Sequence, residues 1–222
     1  MKSMRMGGIA TMLGWLAMSV PAAAADVQDI MHDTQQMTME DGQMSMVWWI
    51  PVQYWDESIK TNPNVPDAAR AQVVDAMSDY AVFGLLRARP GAAGLGDVQS
   101  KEELVKNLHL EMNGETIQPL TPEQIAPATS LMLAQLKPAL AAGIGQFGKA
   151  LEFVVFPATV DGKPLIDATQ PGELTATFYG KEHRWHLPLG SLLPPKVDKK
   201  TGEQFPGNYK FNPYTGKKLA DQ

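Results

Sequence analysis

Four methionines in two Met-x-Met pairs are the residues whose type and spacing first suggest chemistry. Met37 and Met39 form one pair, Met44 and Met46 form the other, and residues 40–43 separate them. If residues 40–43 turn the chain, each pair points to one face of its strand and the four thioethers gather. Thioethers are soft ligands that suit Cu(I). The pattern therefore predicts either a copper(I) site or, since methionine is a flexible core filler, packing in a core or a disordered linker.

Trp48 and Trp49 are the second candidate, as an interaction surface. They lie in an aromatic and β-branched run that predicts a strand over 44–54, with Pro51 at an edge or a bulge. Neighbouring side chains of a strand point to opposite faces, so one indole is exposed if the other enters the core. An exposed aromatic marks a binding surface. The competing interpretation is a cover made by aromatic residues of the tail, Phe205, Tyr209 or Phe211.

The histidines and the enzyme motifs give weaker signals. His183 and His186 are three residues apart in a predicted strand, so their side chains face opposite sides and do not converge on one metal ion. The sequence has no nucleophile elbow, no P-loop and no zincin motif. We therefore predict no catalytic residue and no cofactor, and an enzyme is not favoured. A hydrolase with an unrecognised site stays open as an alternative.

The first 25 residues have the pattern of a secretory signal peptide. Lys2 and Arg5 precede an apolar run over residues 7–20, and Pro21 with the alanines after it ends the run before Asp26. The run is shorter than the roughly 20 residues that a spanning helix needs. We therefore expect export to the periplasm with cleavage next to Asp26. The mature protein is expected to be soluble and not integral to the membrane.

Composition narrows the remaining function classes. The chain of 222 residues contains no cysteine, which excludes a thiol nucleophile and a thiolate metal site. Loss of Lys2 and Arg5 with the leader leaves 17 basic residues against 24 acidic ones. An acidic surface of this kind argues against nucleic-acid binding.

The sequence after the leader divides into three parts. Residues 26–46 are methionine-rich, residues 47–195 carry the predicted core, and residues 196–222 form a lysine-rich tail. Helices are predicted over residues 66–78 and 129–142, and hairpins are predicted at Asn113-Gly114 and near Gly180. We therefore predict an α+β, β-rich fold with sandwich-like antiparallel sheets, two short helices and a degenerate ribbon-like C-terminal hairpin.

The tail contains an internal repeat. Residues 198–205 and 212–219 share the pattern Asx-x-x-Thr-Gly-x-x-apolar. Cysteine at each Asx and Thr would give the two knuckles of a zinc ribbon. We interpret the tail as a degenerate, metal-free ribbon in which Asx side chains hold the turns by accepting backbone N–H bonds. The positions equivalent to zinc ligands hold Asp198, Thr201, Asn212 and Thr215. Two unrelated turns are the competing interpretation.

Three blocks of the sequence together resemble an exported bacterial family with no assigned activity. The blocks are Val47-Trp-Trp-Ile-Pro51, residues 185–196 and the two knuckles. The resemblance implies cysteines in the knuckles, which this chain lacks, and it implies no known function. We favour a non-catalytic binding or interaction protein of the cell envelope with an envelope protein as its partner. A periplasmic copper(I)-binding protein that uses the four methionines is the main alternative.

Overall fold

The computed structural model describes residues 26–60 and 62–221, so the predicted leader lies outside the described residues. None of the described helices is both long enough and apolar enough to cross a bilayer. The α-helices of the described chain are α1 (Val27–Thr34), α2 (Val52–Lys60), α3 (Asp67–Ser78), α4 (Lys101–Lys106) and α5 (Pro127–Gly143). Short 3-10 turns at Pro122–Gln124, Gly145–Ala150 and Gly190–Leu192 connect some of the elements.

The strands of the described chain pair in antiparallel fashion throughout. They are β1 (Gln35–Glu40), β2 (Gln43–Ile50), β3 (Tyr80–Gly91), β4 (Gly94–Gly96), β5 (Leu108–Met112), β6 (Glu115–Ile117), β7 (Glu152–Pro157), β8 (Thr159–Val160), β9 (Lys163–Pro164), β10 (Gly172–Phe178), β11 (Lys181–Leu187), β12 (Lys196–Val197), β13 (Gln204–Phe205) and β14 (Ala220–Asp221).

The long strand β3 organises a five-stranded central sheet. It pairs with β2 on one side, and β1 continues the sheet beyond β2. On its other side it pairs with β7 and, further along, with β4. A second sheet has the order β11-β10-β5-β6, and the tail forms a small sheet of order β13-β12-β14. The protein is therefore an antiparallel, β-rich α+β fold, as the sequence predicts.

Both faces of the central sheet are buried. Trp49, Phe83 and Phe156 project to one face and pack against the second sheet. Met46 and Trp48 project to the opposite face and pack against the helices. The molecule thus has three layers: the second sheet, the central sheet and the helices. A strand covered on both faces needs apolar residues at every position, which explains the unbroken apolar run at the end of β2.

The β-hairpins follow the turn chemistry of their sequences. Asn113 and Gly114 have φ angles of 52° and 83°, as a type I′ turn requires. The turn between β1 and β2 is of the same kind, with φ angles of 50° at Asp41 and 73° at Gly42. Residues 35–50 are therefore one hairpin of the central sheet, and the predicted boundary at residue 47 falls inside β2.

Three details differ from the sequence prediction. Strand β2 ends at Ile50 and α2 begins at Val52, so the predicted strand over 44–54 is too long. Pro51 has no N–H for a sheet ladder, and its carbonyl accepts the N–H of Tyr54 at 2.9 Å in the first turn of α2. Because β2 lies between β1 and β3, it is not an edge strand. The described chain also has five α-helices instead of two.

Candidate functional site

A large concave surface on the described part of the chain is a groove that we call the β7 groove. Helices α4 and α5 form its walls, β7 forms its floor, and residues 119–125 close one end. Its volume is about 790 Å³, within the range that binding sites occupy. The lining is predominantly apolar. The apolar side chains that define it are Val105, Leu120, Ile125, Leu133, Phe153 and Val155.

Local sequence signals place the walls of the β7 groove. Ser100 caps α4, because its Oγ accepts the backbone N–H of Glu103 at 3.3 Å. Leu104 is fully buried and fixes α4 against the core. Thr121 and Gln124 form a capping box before α5, in which Gln124 Oε1 accepts the Thr121 N–H at 2.8 Å. A helix cap and a core contact therefore hold α4, and the capping box fixes the 3-10 turn that precedes α5.

The floor of the β7 groove is an outer edge of the central sheet that is only partly occupied. The Leu120 N–H donates to the Val155 carbonyl at 2.8 Å, so Val155 directs its backbone groups away from β3. Phe153 lies two residues earlier in the strand, so its N–H and C=O have the same outward direction. No hydrogen-bond partner of these two groups is found among the described residues. The groove therefore combines apolar side chains with free backbone donors and acceptors.

The rim of the β7 groove carries more positive than negative charge. Lys101, Lys106 and Lys137 line it together with Glu102 and Glu152. Lys137 Nζ lies 2.8 Å from Glu152 Oε2, so this pair neutralises itself. Hydrogen bonds from the residue's own backbone N–H and from Ser100 hold the pKa of Glu102 below its ordinary value. Lys106 Nζ also lies 4.0 Å from Glu103 Oε1, so the charges of α4 nearly balance and Lys101 has no acidic partner within 4.0 Å among the described residues.

The β1–β2 hairpin brings the four methionines to one face. Met37 is directly opposite Met46 and Met39 is opposite Met44, and such cross-strand partners share a face. Met44 and Met46 are buried in the core under the helices. Met37 and Met39 are each 61% exposed. The predicted gathering of thioethers is therefore compatible with the register, but only two of the four are open to solvent.

Trp48 and Trp49 are both buried, with 1% and 2% exposure. Trp48 packs edge-on against Tyr54 at a ring distance of 5.2 Å. Trp49 packs against Trp185 at 6.3 Å. The structure therefore does not support an interaction surface at these two residues. The cover comes from the helices and the second sheet and not from the tail, because the central sheet is covered on both faces.

The two histidines of β11 lie on opposite faces, as their spacing predicts. His183 is 2% exposed, and its Nδ1 lies 3.3 Å from Gln36 Oε1 on β1. Burial and, to a smaller extent, the nearby Lys181 lower the pKa of His183. The side chain of His186 is 77% exposed on the other face. The pair therefore does not converge on one ion.

A cavity of about 250 Å³ between α1 and the tail collects Asp33, His32 and Ser191. The Asp33 carboxylate accepts the backbone N–H of Ser191 at 2.7 Å and so caps the 3-10 turn that begins at Gly190. Within the described residues, the buried Ser191 Oγ has no hydrogen-bond partner, so no base contacts it. Nucleophilic catalysis requires such a contact, and this cavity does not provide one.

The two repeats of the tail fold into matching hairpins. The Gly202 N–H donates to the Asp198 carbonyl at 2.8 Å, and the Gly216 N–H donates to the Asn212 carbonyl at 2.8 Å. Each Asx side chain also accepts a backbone N–H two residues on, at 2.9 Å from Lys200 and 2.8 Å from Tyr214. Two unrelated turns are not expected to share these contacts, so the repeat is structural.

A side-chain hydrogen bond joins the two hairpins where a ribbon would hold its metal. Asn212 Nδ2 donates to Asp198 Oδ2 at 2.8 Å, and both residues are at least 95% buried. Thr201 Oγ1 accepts the Glu203 N–H at 3.3 Å, while Thr215 is exposed. An amide–carboxylate contact thus occupies the centre of the predicted degenerate ribbon.

The described residues contain no group of three or more His, Cys, Asp or Glu side chains that could hold a metal ion. Comparison of the chain with protein-family models, with curated proteins and with solved structures found no match. The site must therefore be judged on its own chemistry. The β7 groove is the feature that sequence reasoning missed, because its walls come from segments that are distant in the chain and individually ordinary.

Proposed function

We propose that this protein is a non-catalytic binding protein of the bacterial cell envelope, exported with cleavage of its first 25 residues. We propose further that the β7 groove binds an extended apolar segment of a partner polypeptide. The observation that carries the proposal is the apolar groove of about 790 Å³ whose floor presents the outward backbone N–H and C=O of Phe153.

Strand addition is the binding mode that fits this floor. A peptide beside β7 can hydrogen-bond to the outward N–H and C=O of Phe153 and extend the central sheet. Alternate side chains of the peptide would then point to the two walls, towards Val105 on α4 and Leu133 on α5. An acidic residue at the end of the peptide would complement Lys101 on the rim. A purely apolar ligand would leave the backbone groups of Phe153 unused.

We expect a labelled heptapeptide that alternates valine with threonine and ends in glutamate to bind with a micromolar dissociation constant, measured by fluorescence anisotropy. Ala134→Trp should weaken binding about tenfold or more, because Ala134 is exposed and lines the groove and an indole would fill it. The matched control is Ala139→Trp, at an exposed position of α5 that does not line the groove.

A second peptide tests the binding mode. N-methylation of every other backbone nitrogen removes the strand hydrogen bonds and leaves the side chains, so it should abolish binding in one of the two methylation frames. Strand addition is contradicted if Ala134→Trp does not weaken binding, or if N-methylation weakens binding in neither of the two frames. If no peptide binds, but the protein binds a fluorescent fatty acid that palmitate displaces, the ligand of the β7 groove is a lipid and not a peptide.

Copper(I) binding is a second candidate function, favoured by the register that puts Met37 opposite Met46 and Met39 opposite Met44. We expect competition with a Cu(I) chelator to give an affinity tighter than micromolar for the protein. Met37→Leu with Met39→Leu should weaken it at least tenfold, because both side chains are exposed and their loss leaves the core intact. Met31→Leu, outside the hairpin, is the control. An unchanged affinity in the double variant would remove this candidate.

A further inference from the structure

The second hairpin of the tail, residues 209–219, exposes three aromatic rings. Tyr209 is 41% exposed, Phe211 is 56% exposed and Tyr214 is 81% exposed. Exposed large hydrophobic side chains that are grouped in one short segment mark an interaction site more often than isolated ones do. These rings line neither the β7 groove nor the cavity between α1 and the tail. They are therefore exposed outside both concave surfaces, with the Tyr214 ring 6.3 Å from that of Phe205.

The same hairpin is strongly basic. Lys210, Lys217 and Lys218 lie within residues 209–219, and this segment contains no acidic residue. All three lysines are exposed. Within the described residues, none of the three forms an ion pair with a carboxylate within 4.0 Å. The charge of Lys217 acts on the carboxylate of Asp198 and that of Lys218 acts on Asp221, but neither lysine is held in an ion pair with a described residue. The hairpin thus presents three exposed positive charges on a chain whose net charge is −5.

The backbone holds this arrangement in place before any partner binds. The Asn212 N–H donates to the Lys217 carbonyl at 2.7 Å, and the Leu219 N–H donates to the Lys210 carbonyl at 3.1 Å. Leu219 is 7% exposed and anchors the end of the hairpin. Because the backbone of the hairpin is already ordered, binding requires ordering of side chains only.

We propose that this hairpin docks the protein on an anionic phospholipid surface. The two tyrosine rings have polar tips, which favour the headgroup level of a bilayer, and Phe211 adds exposed apolar area. Lysines near an anionic leaflet each strengthen binding about fivefold. An exposed set of rings suits a deformable layer into which each ring can insert, whereas a rigid partner would need a matching concavity. This docking is independent of the ligand in the β7 groove.

Vesicle flotation tests the proposal. The purified protein should float with phosphatidylcholine vesicles that contain about 30% phosphatidylglycerol at low salt. It should bind at least tenfold less to pure phosphatidylcholine, and about 0.5 M salt should release it. Lys217→Gln with Lys218→Gln should weaken the partition coefficient about 25-fold. Phe211→Ser with Tyr214→Ser should also weaken binding, and circular dichroism should report an unchanged fold because these rings are exposed.

The first hairpin supplies the matched control. Lys199→Gln with Lys200→Gln removes the same charge from exposed positions of the neighbouring hairpin, which lacks the exposed rings. We expect it to weaken binding much less than the Lys217 and Lys218 changes. The proposal is overturned if the two charge variants lose binding equally, or if the protein does not float with anionic vesicles.

Discussion

A variant with cysteine at the four knuckle positions is expected to bind one zinc ion with an apparent free energy of about 10 kcal/mol or more at pH 7. That corresponds to a dissociation constant of about 50 nM or tighter. The substitutions are Asp198→Cys, Thr201→Cys, Asn212→Cys and Thr215→Cys. Four thiolates in two knuckles form the tetrahedral set that structural zinc sites use.

The hairpins already bring two of the four positions together. Asp198 and Asn212 meet at 2.8 Å across the two repeats. Their side chains, like that of Thr201, accept N–H bonds from residues further along the turn. A thiolate can accept the same bonds, so the backbone need not change. Since the natural chain has no cysteine, no other thiol competes for the metal.

The metal affinity of the quadruple variant is measured by cobalt(II) absorption and by competition with a chelator for zinc, both in the presence of a reductant. The double variant Thr201→Cys with Thr215→Cys is the control, because it keeps the Asp198–Asn212 contact and supplies only two thiolates. We expect it to bind much more weakly. If the quadruple variant stays folded and shows no tetrahedral cobalt spectrum, the ribbon interpretation of the tail is wrong.

Trp49→Ala is expected to lower the free energy of unfolding by about 3–5 kcal/mol. The indole of Trp49 is 2% exposed and packs against Trp185, which in turn packs against Phe83 at a ring distance of 6.1 Å. Alanine would leave a cavity between the central and second sheets that rigid strands cannot close. Urea unfolding followed by circular dichroism measures the change.

Tyr214→Ala is the control for this prediction. It also removes a large aromatic ring, but that ring is 81% exposed, so we expect a change within about 0.5 kcal/mol. A loss below about 1 kcal/mol for Trp49→Ala would contradict the described packing. If a variant substituted at Trp48 or Trp49 no longer binds a partner, that result therefore reports damage to the core.

Much of the fold was predictable from local signals. Asn113-Gly114 between alternating arms predicts its hairpin, and the structure confirms it, with Leu110 and Met112 buried on one face. The helix predicted over 66–78 corresponds to α3. These predictions succeed because turn chemistry and side-chain periodicity act over a few residues.

Other features depend on what covers each element. The sequence shows that Trp48 and Trp49 face opposite sides of a strand, but burial of both depends on two layers built from residues far away. The β7 groove depends in the same way on α4, α5 and β7, which only the tertiary fold brings together. Its outer edge is visible only once β7 is seen to pair with β3 on one side.

The contact between Asp198 and Asn212 joins the two hairpins of the tail without a thiol. Changes of redox potential, which dismantle a thiolate ribbon, therefore find no cysteine to act on in it. Acid is the condition that acts on it, because the Lys200 backbone N–H and the Asn212 amide hold the pKa of Asp198 below its ordinary value. Its stabilising effect is complete above the ordinary aspartate pKa and is lost only as the pH falls through the lowered one. The contact between Asp198 and Asn212 therefore persists in neutral and mildly acidic surroundings.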